Sequence, residues 1–131
     1  MGSLMYEPKK IVVYSAADLS AYEYVFVKVT TGDTDAKRIV ALCGAGEVPL
    51  GILIKGEAIG RPMEVIPLNG QPAKAVASTT IAIDATCKIA ANGQLVATTA
   101  DGNRIFFIAQ EAATATGDII VGYTTNMFRG A

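Results

Sequence analysis

Residues 63–77 read MEVIPLNGQPAKAVA, and the reading of this stretch decides the fold class. Residues 63–68 have strand character. Asn69-Gly70 follows, and residues 73–77 have the length and character of a returning strand. Asn-Gly is the strongest short hairpin signal, because both residues tolerate the positive φ that a type I′ turn requires. The same turn chemistry recurs at Asn92-Gly93 and at Asp101-Gly102. It predicts a chain of short antiparallel strands.

Outward from that stretch the pattern persists. Residues 50–54 are apolar on both faces, which predicts a central strand. Residues 23–29 alternate, with Val25, Val27 and Val29 on one face and Tyr24 and Phe26 on the other. Further strands are expected at residues 11–14, 38–43, 80–91, 94–98, 104–109 and 119–123. Short helices are expected at residues 15–22, with Ser15 as N-cap and Asp18 three residues on, and at the Ala-rich residues 110–116, stopped by Gly117. Val, Ile and Thr together make up 36 of 131 residues, a content of stiff β-branched side chains that suits a pleated surface. The 21 alanines are scattered rather than set at helical spacing. The expectation is an all-β, barrel-like domain over residues 10–123, with an N-terminal arm at 1–9 and a C-terminal tail at 124–131. Strands apolar on both faces need a second cover from loops, neighbouring subunits or a larger surface.

Composition narrows the function. The net charge is −1 and the pI is near 5.3, so no basic stripe for nucleic acid is expected. With no His and no Trp, imidazole-based catalysis and imidazole metal ligation are excluded. The expectation is a protein that is not an enzyme and that carries no cofactor or metal. Gly44-Ala45-Gly46 begins like a dinucleotide fingerprint, but Pro49 stands where the third glycine belongs. The aspartates Asp33, Asp35, Asp84, Asp101 and Asp118 sit at turns, where the side chain bonds its own backbone. Cys43 and Cys87 read as small buried apolar residues, not a disulfide. No run of 18 apolar residues and no secretory signal appears, so no membrane partner is expected and synthesis is placed in the cytoplasm.

Apolar residues outside the strand pattern gather at the two ends. Leu4, Met5 and Tyr6 precede Pro8, and Met127, Phe128 and Arg129 lie near the other terminus. Met, Tyr, Phe and Arg are enriched at protein interfaces, so these seven residues are the candidate contact residues.

Three stretches carry a family likeness: Val48-Pro49-Leu50-Gly51-Ile52-Leu53; residues 81–88 followed by Asn92-Gly93 and Asp101-Gly102; and Ala109-Gln110-Glu111-Ala112-Ala113-Thr114-Ala115-Thr116-Gly117-Asp118-Ile119-Ile120-Val121. Over residues 20–123 the chain resembles the head decoration, or cement, proteins of tailed bacteriophages. That resemblance implies a small β-barrel or β-tulip domain and a homotrimer on the capsid's outer surface, clamping neighbouring major capsid protein subunits. It implies no catalytic residues, and by position alone it makes residues 1–9 an arm that orders on binding. Other β-structured virion parts (tail tube, baseplate or fibre-head domain) and a glycan- or receptor-binding module remain as alternatives.

Overall fold

The computed structural model describes residues 10–15, 17–30, 38–100 and 102–128. These residues form a nearly all-β architecture of ten strands. Five make a closed barrel in the order β1 (Ile11–Ser15), β3 (Ile39–Leu42), β2 (Glu23–Val29), β4 (Gly51–Lys55), β5 (Met63–Pro67). Closure comes from β5 pairing back onto β1, with Val12 opposite Glu64. The β1–β3 pair is parallel and the others are antiparallel. The remaining strands form a second sheet in the order β6 (Pro72–Val76), β10 (Ile119–Phe128), β9 (Arg104–Ala109), β7 (Thr86–Ile89), β8 (Leu95–Ala97). This sheet curls until its two edges meet. Ala77 bridges Leu95, and the Ser78 amide and hydroxyl both donate to the Leu95 carbonyl, at 2.8 and 2.7 Å.

Side chains that alternate along a strand point to opposite faces, and here both faces are used. Val25 and Val27 of β2, Leu53 of β4, Val65 of β5, Val13 of β1 and Val40 of β3 join one buried cluster, which fills the barrel. Their neighbours Phe26, Ile52 and Ile66 join a second cluster with Ala73, Ala75, Ala77, Phe107, Leu95 and Ile120. The cover that doubly apolar strands require is therefore supplied, for β2, β4 and β5, by the chain's own second sheet. Cys43 and Cys87 are both buried in this seam and both are free thiols, as expected.

Several local expectations change. Asn69-Gly70 does not close a hairpin: β5 belongs to the barrel and β6 to the second sheet, so the turn is the crossing between them. Gly70 has φ +86° but Asn69 does not share the positive region, and a type I′ turn needs both. A hairpin here would also set Pro67 against Pro72, two residues with no N–H to donate to the ladder. Asn92-Gly93 does form the expected turn, with φ +59° and +71° and the Gln94 amide donating to the Ala91 carbonyl. It joins the paired strands β7 and β8. Gly102 has φ +85°, but β8 pairs with β7 and not with β9, so this turn closes no hairpin either.

Neither helix forms. The Ser15 hydroxyl accepts from the Ala17 amide at 3.0 Å and Asp18 Oδ1 from the Ser20 amide at 2.9 Å, local bonds that compete with a helix. In residues 110–116, Ala113 exchanges both backbone bonds with Ile81, and the Asp118 carboxylate takes the amides of Thr114 and Ala115. Among the described residues the one helical element is the three-residue turn Ala91–Gly93, and in residues 15–22 a single turn bond forms, from the Tyr22 amide to the Leu19 carbonyl. The last strand runs through Phe128 rather than ending at Tyr123, so residues 124–128 are strand and not tail. Thr124 is the reason. It is buried, its amide donates to the Gln71 carbonyl, and its hydroxyl lies 3.3 Å from the carbonyl oxygens of both Pro67 and Gln71. β10 is thereby fastened to the crossing from barrel to sheet. A register shift between Thr124 and Met127 then lets Met127 and Phe128 pair with Ile105 and Arg104.

Candidate functional site

The candidate contact residues divide. Leu4, Met5, Tyr6, Pro8 and Arg129 lie outside the described residues. Met127 and Phe128 are strand residues of β10, and the Met127 side chain is 41% exposed. Upstream on β10, Ile119, Val121 and Tyr123 are 43%, 37% and 44% exposed, while Ile120 and Gly122 between them and Thr124 after them are buried. The second sheet thus has a buried face and an apolar outer stripe along its longest strand. Sequence periodicity already contained this alternation, but which set would face outward depended on where the barrel packs.

Two grooves flank the barrel. The first, about 380 Å³, lies on its outer wall and is lined by Val12 of β1, Ile54 and Lys55 of β4, Glu57, and Pro62, Met63 and Glu64 at the start of β5. Lys10 reaches Glu64 at its lip, with 3.7 Å between ammonium and carboxylate. The Lys55 ammonium donates to the Ser20 carbonyl at 3.2 Å. The second groove, about 250 Å³, lies where the turn at residues 45–48 meets β7 and β9, over Phe106 with Lys88 and Arg104 beside it. The Arg104 guanidinium sits 5.7 Å from the Phe106 ring centroid, and its Nε donates to Asn126 Oδ1 at 2.9 Å. Glu47 at this groove is engaged by both oxygens, one taking the Gly44 amide at 2.7 Å and the other the Lys28 ammonium. The Lys28 hydrogen bond, then the Gly44 amide, holds its carboxyl below the usual range. Gly44-Ala45-Gly46 is thus a turn bonded to a glutamate, with Gly46 at φ +79°.

The two thiols and Asp118 are displaced by burial and by local bonds. Burial pushes the Cys43 thiol up to about 11, with the nearby Glu47 charge adding to it, and burial alone pushes Cys87 up to about 12. A nucleophilic cysteine requires the opposite displacement. Asp118 is held low by the amides of Thr114 and Ala115, its turn partners. Among the described residues no three His, Cys, Asp or Glu side chains gather where they could hold a metal ion, and no helix is long and apolar enough to cross a membrane. One feature that sequence reasoning missed is Tyr24, a non-glycine strand residue at φ +56°. The Lys74 ammonium lies 5.7 Å from its ring centroid, linking β2 to β6.

No protein-family model matches the chain, and no curated protein matches it. Among solved structures, its fold is similar to that of the head fiber gp8.5 N base of bacteriophage phi29. The TM-score is 0.72 at 13% sequence identity, over 93% of this chain and 98% of that one.

Proposed function

We propose that the chain is a structural virion protein that sits on the outer surface of a phage capsid and clamps neighbouring major capsid protein subunits, as a homotrimer. The observation that supports this most is the shared fold with a phage head fiber base, which extends over nearly the whole of both chains. The chemistry is consistent with it: the cysteines are buried and the aspartates at Asp18 and Asp118 serve turns. In this reading the protein is not an enzyme and binds neither nucleic acid nor membrane. Attachment runs through the two chain ends: Leu4, Met5, Tyr6 and Pro8 at one, Met127, Phe128 and Arg129 at the other. Many weak contacts repeated around a shell act together through multivalency, so each copy needs only modest affinity.

The test is reconstitution. Purified protein is added to expanded heads that lack it, and the particles are imaged by cryo-electron microscopy. Density at symmetric positions bridging capsid subunits, with higher resistance of the particle to heat, is the expected result. Saturating protein that leaves the heads bare and no more stable would overturn the reading. A second reading, the base on which a head fibre is mounted, is favoured by the nature of the structural neighbour. It predicts density continuing outward from the bound domain into a further protein, where the clamp reading predicts a domain that ends at the shell.

A further inference from the structure

The second sheet is covered on one face. Ala73, Ala75 and Ile120 on its inner side pack against the barrel. Along β10 the outer side has no cover among the described residues, and Ile119, Val121 and Tyr123 stand exposed in succession. Residues opposite one another on neighbouring strands share a face. Ile108 on β9, opposite Tyr123, and Lys74 on β6, opposite Val121, therefore belong to this outer face. A single exposed apolar side chain needs no partner, but three along one strand, with a fourth beside them, form a patch of the kind that marks an interaction surface.

The charges at the two margins of the stripe indicate what covers it. Lys74 stands on the β6 margin, level with Val121. On the β9 margin, Glu111 Oε1 accepts the amide of the same Val121 at 2.8 Å. A cation and an anion thus flank the stripe at one level, and both residues are exposed. The Lys74 ammonium lies 5.7 Å from the Tyr24 ring centroid, and neither charge has an ion-pair partner among the described residues.

A face that is positive on one margin and negative on the other is complementary to itself in some arrangements only. A two-fold axis running across the strands would set Lys74 against Lys74 and Glu111 against Glu111, and juxtaposed like charges at an interface are costly. Rotation about an axis parallel to β10, with the stripes turned toward that axis, does the reverse. It brings the Lys74 margin of each copy to the Glu111 margin of the next, and a closed ring satisfies every margin.

We infer that copies of this chain associate through the outer face of β10 around a three-fold axis parallel to that strand. Ile119, Val121 and Tyr123 face the axis, and Lys74 of each copy meets Glu111 of the next. The number three rests on the homotrimer of the preceding reading, whereas the face and the axis direction rest on the stripe and its two margins.

The experiment is analytical ultracentrifugation of the isolated full chain over a range of concentrations. The expected mass is three times the 13.6 kDa of one chain. Val121→Lys, at an exposed site, places a cation from every copy beside the axis and should give a monomer with the parent's circular dichroism. Tyr123→Lys should do the same, and serves if the first variant does not fold. Lys74→Glu should raise the concentration at which the trimer half-dissociates by about tenfold or more, since each pair then becomes a repulsion. Adding Glu111→Gln, which keeps an acceptor oxygen for the Val121 amide and removes the charge, should bring that concentration back toward the parent's. A trimer that survives both Val121→Lys and Tyr123→Lys would overturn the face and leave the homotrimer standing. A Lys74→Glu defect that Glu111→Gln does not relieve would overturn the axis direction. A parent that is monomeric at every concentration, or dimeric, would overturn the inference, while attachment to heads would still be decided by the reconstitution above.

Discussion

The barrel's lumen is filled by Val13, Val25, Val27, Val40, Leu53, Met63 and Val65, whereas the seam behind it sets Phe26, Ile52 and Ile66 against Ala73, Ala75, Ala77 and Ala109. The lumen is enclosed by backbone on all sides, so its width is set by strand number and the side chains must fill it. The seam is a contact between two separate surfaces. Its alanines allow the sheet to approach closely, and the large residues of the barrel wall then fill the gap. The comparison explains the scattered alanines, which are neither helical nor filler: those of β6 are the sheet's inner face. It also identifies where the two halves depend on each other. Phe26, Ile52 and Ile66 belong to barrel strands by backbone and to the second sheet's core by side chain.

The largest expected effects separate the two sites. Leu53→Ala removes a fully buried lumen side chain and Phe26→Ala a fully buried seam side chain. Such truncations cost about 2–5 and about 3–5 kcal/mol respectively. If the shared strands make one cooperative unit, both variants lower a single thermal transition. Two resolved transitions in the Phe26 variant, measured by calorimetry, would show that the halves unfold apart. The thiols give a second reading. Cys43 and Cys87 are fully buried in the seam, so labelling by a thiol reagent should be slow in the native protein. It should accelerate more in the Phe26 variant than in the Leu53 variant.

A smaller effect is expected at the turn that docks the second sheet onto the barrel. Gly93 donates its amide to the Cys43 carbonyl at 2.7 Å, and a Cβ on it would lie 2.3 Å from the Phe26 carbonyl oxygen. Gly70 has a similar positive φ, but a Cβ there meets nothing within 4 Å. Gly93→Ala should cost on the order of 2–4 kcal/mol, from strain and overpacking together. Gly70→Ala carries the strain alone, roughly 1–2 kcal/mol. Equal losses in urea titration would mean that the turn at Gly93 yields and that the two halves are not tightly registered there.

Thr124 tests the same seam from the other end. Thr124→Val keeps the shape and removes the hydroxyl from the carbonyls of Pro67 and Gln71, which still accept from the Asn69 and Thr124 amides, so the loss should be that of one ordinary hydrogen bond, about 0.5–1.5 kcal/mol. Hydrogen exchange should rise at the β10 amides near Thr124, including its own bond to Gln71, while the barrel amides of β2 and β4 stay protected. Uniform loss of protection would instead make the crossing part of the global unfolding unit.

Much of this fold was legible in residues 23–29, where alternation with large apolar groups on both faces implied a strand buried twice. The all-β class followed from such stretches, because a strand's faces are written locally. Pairing partners are not. Asn69-Gly70 carries hairpin chemistry, yet β6 goes to β10, some 45 residues on, because Thr124 bonds the crossing and a hairpin would set Pro67 opposite Pro72. Residues 15–22 and 110–116 had helix signals that tertiary bonds to Glu57 and Ile81 took over. The groove was invisible for a related reason. Val12 and Val13 are adjacent and equally apolar, and only the closure of β1 onto β5 leaves one outside and buries the other completely.

The smallest expected effects are electrostatic, and they too divide between the halves. Glu47 on the barrel side and Asp118 before β10 both titrate below their ordinary values of 4.5 and 3.8. Glu47 is held there first by Lys28 and Asp118 first by the Thr114 amide. A carboxyl that is more acidic in the folded chain than in the unfolded one supports folding above its unfolded value. That support fades as pH falls from there through the folded value. The protein should therefore lose stability progressively below about pH 4.5 as Glu47 and Asp118 protonate, together with Asp18, which its hydrogen bonds to Ser20 hold low in the same way. Glu47 is solvent-exposed and its share runs through an ion pair, so it should shrink in high salt. The Asp118 share runs through backbone amides and should persist. Asp118→Asn keeps an acceptor oxygen but removes the charge. Its melting temperature should fall below that of the parent at neutral pH and converge with it in acid. A gap that stays constant from neutral pH into acid would mean that the Asp118 charge contributes nothing and that the turn is held by its geometry alone.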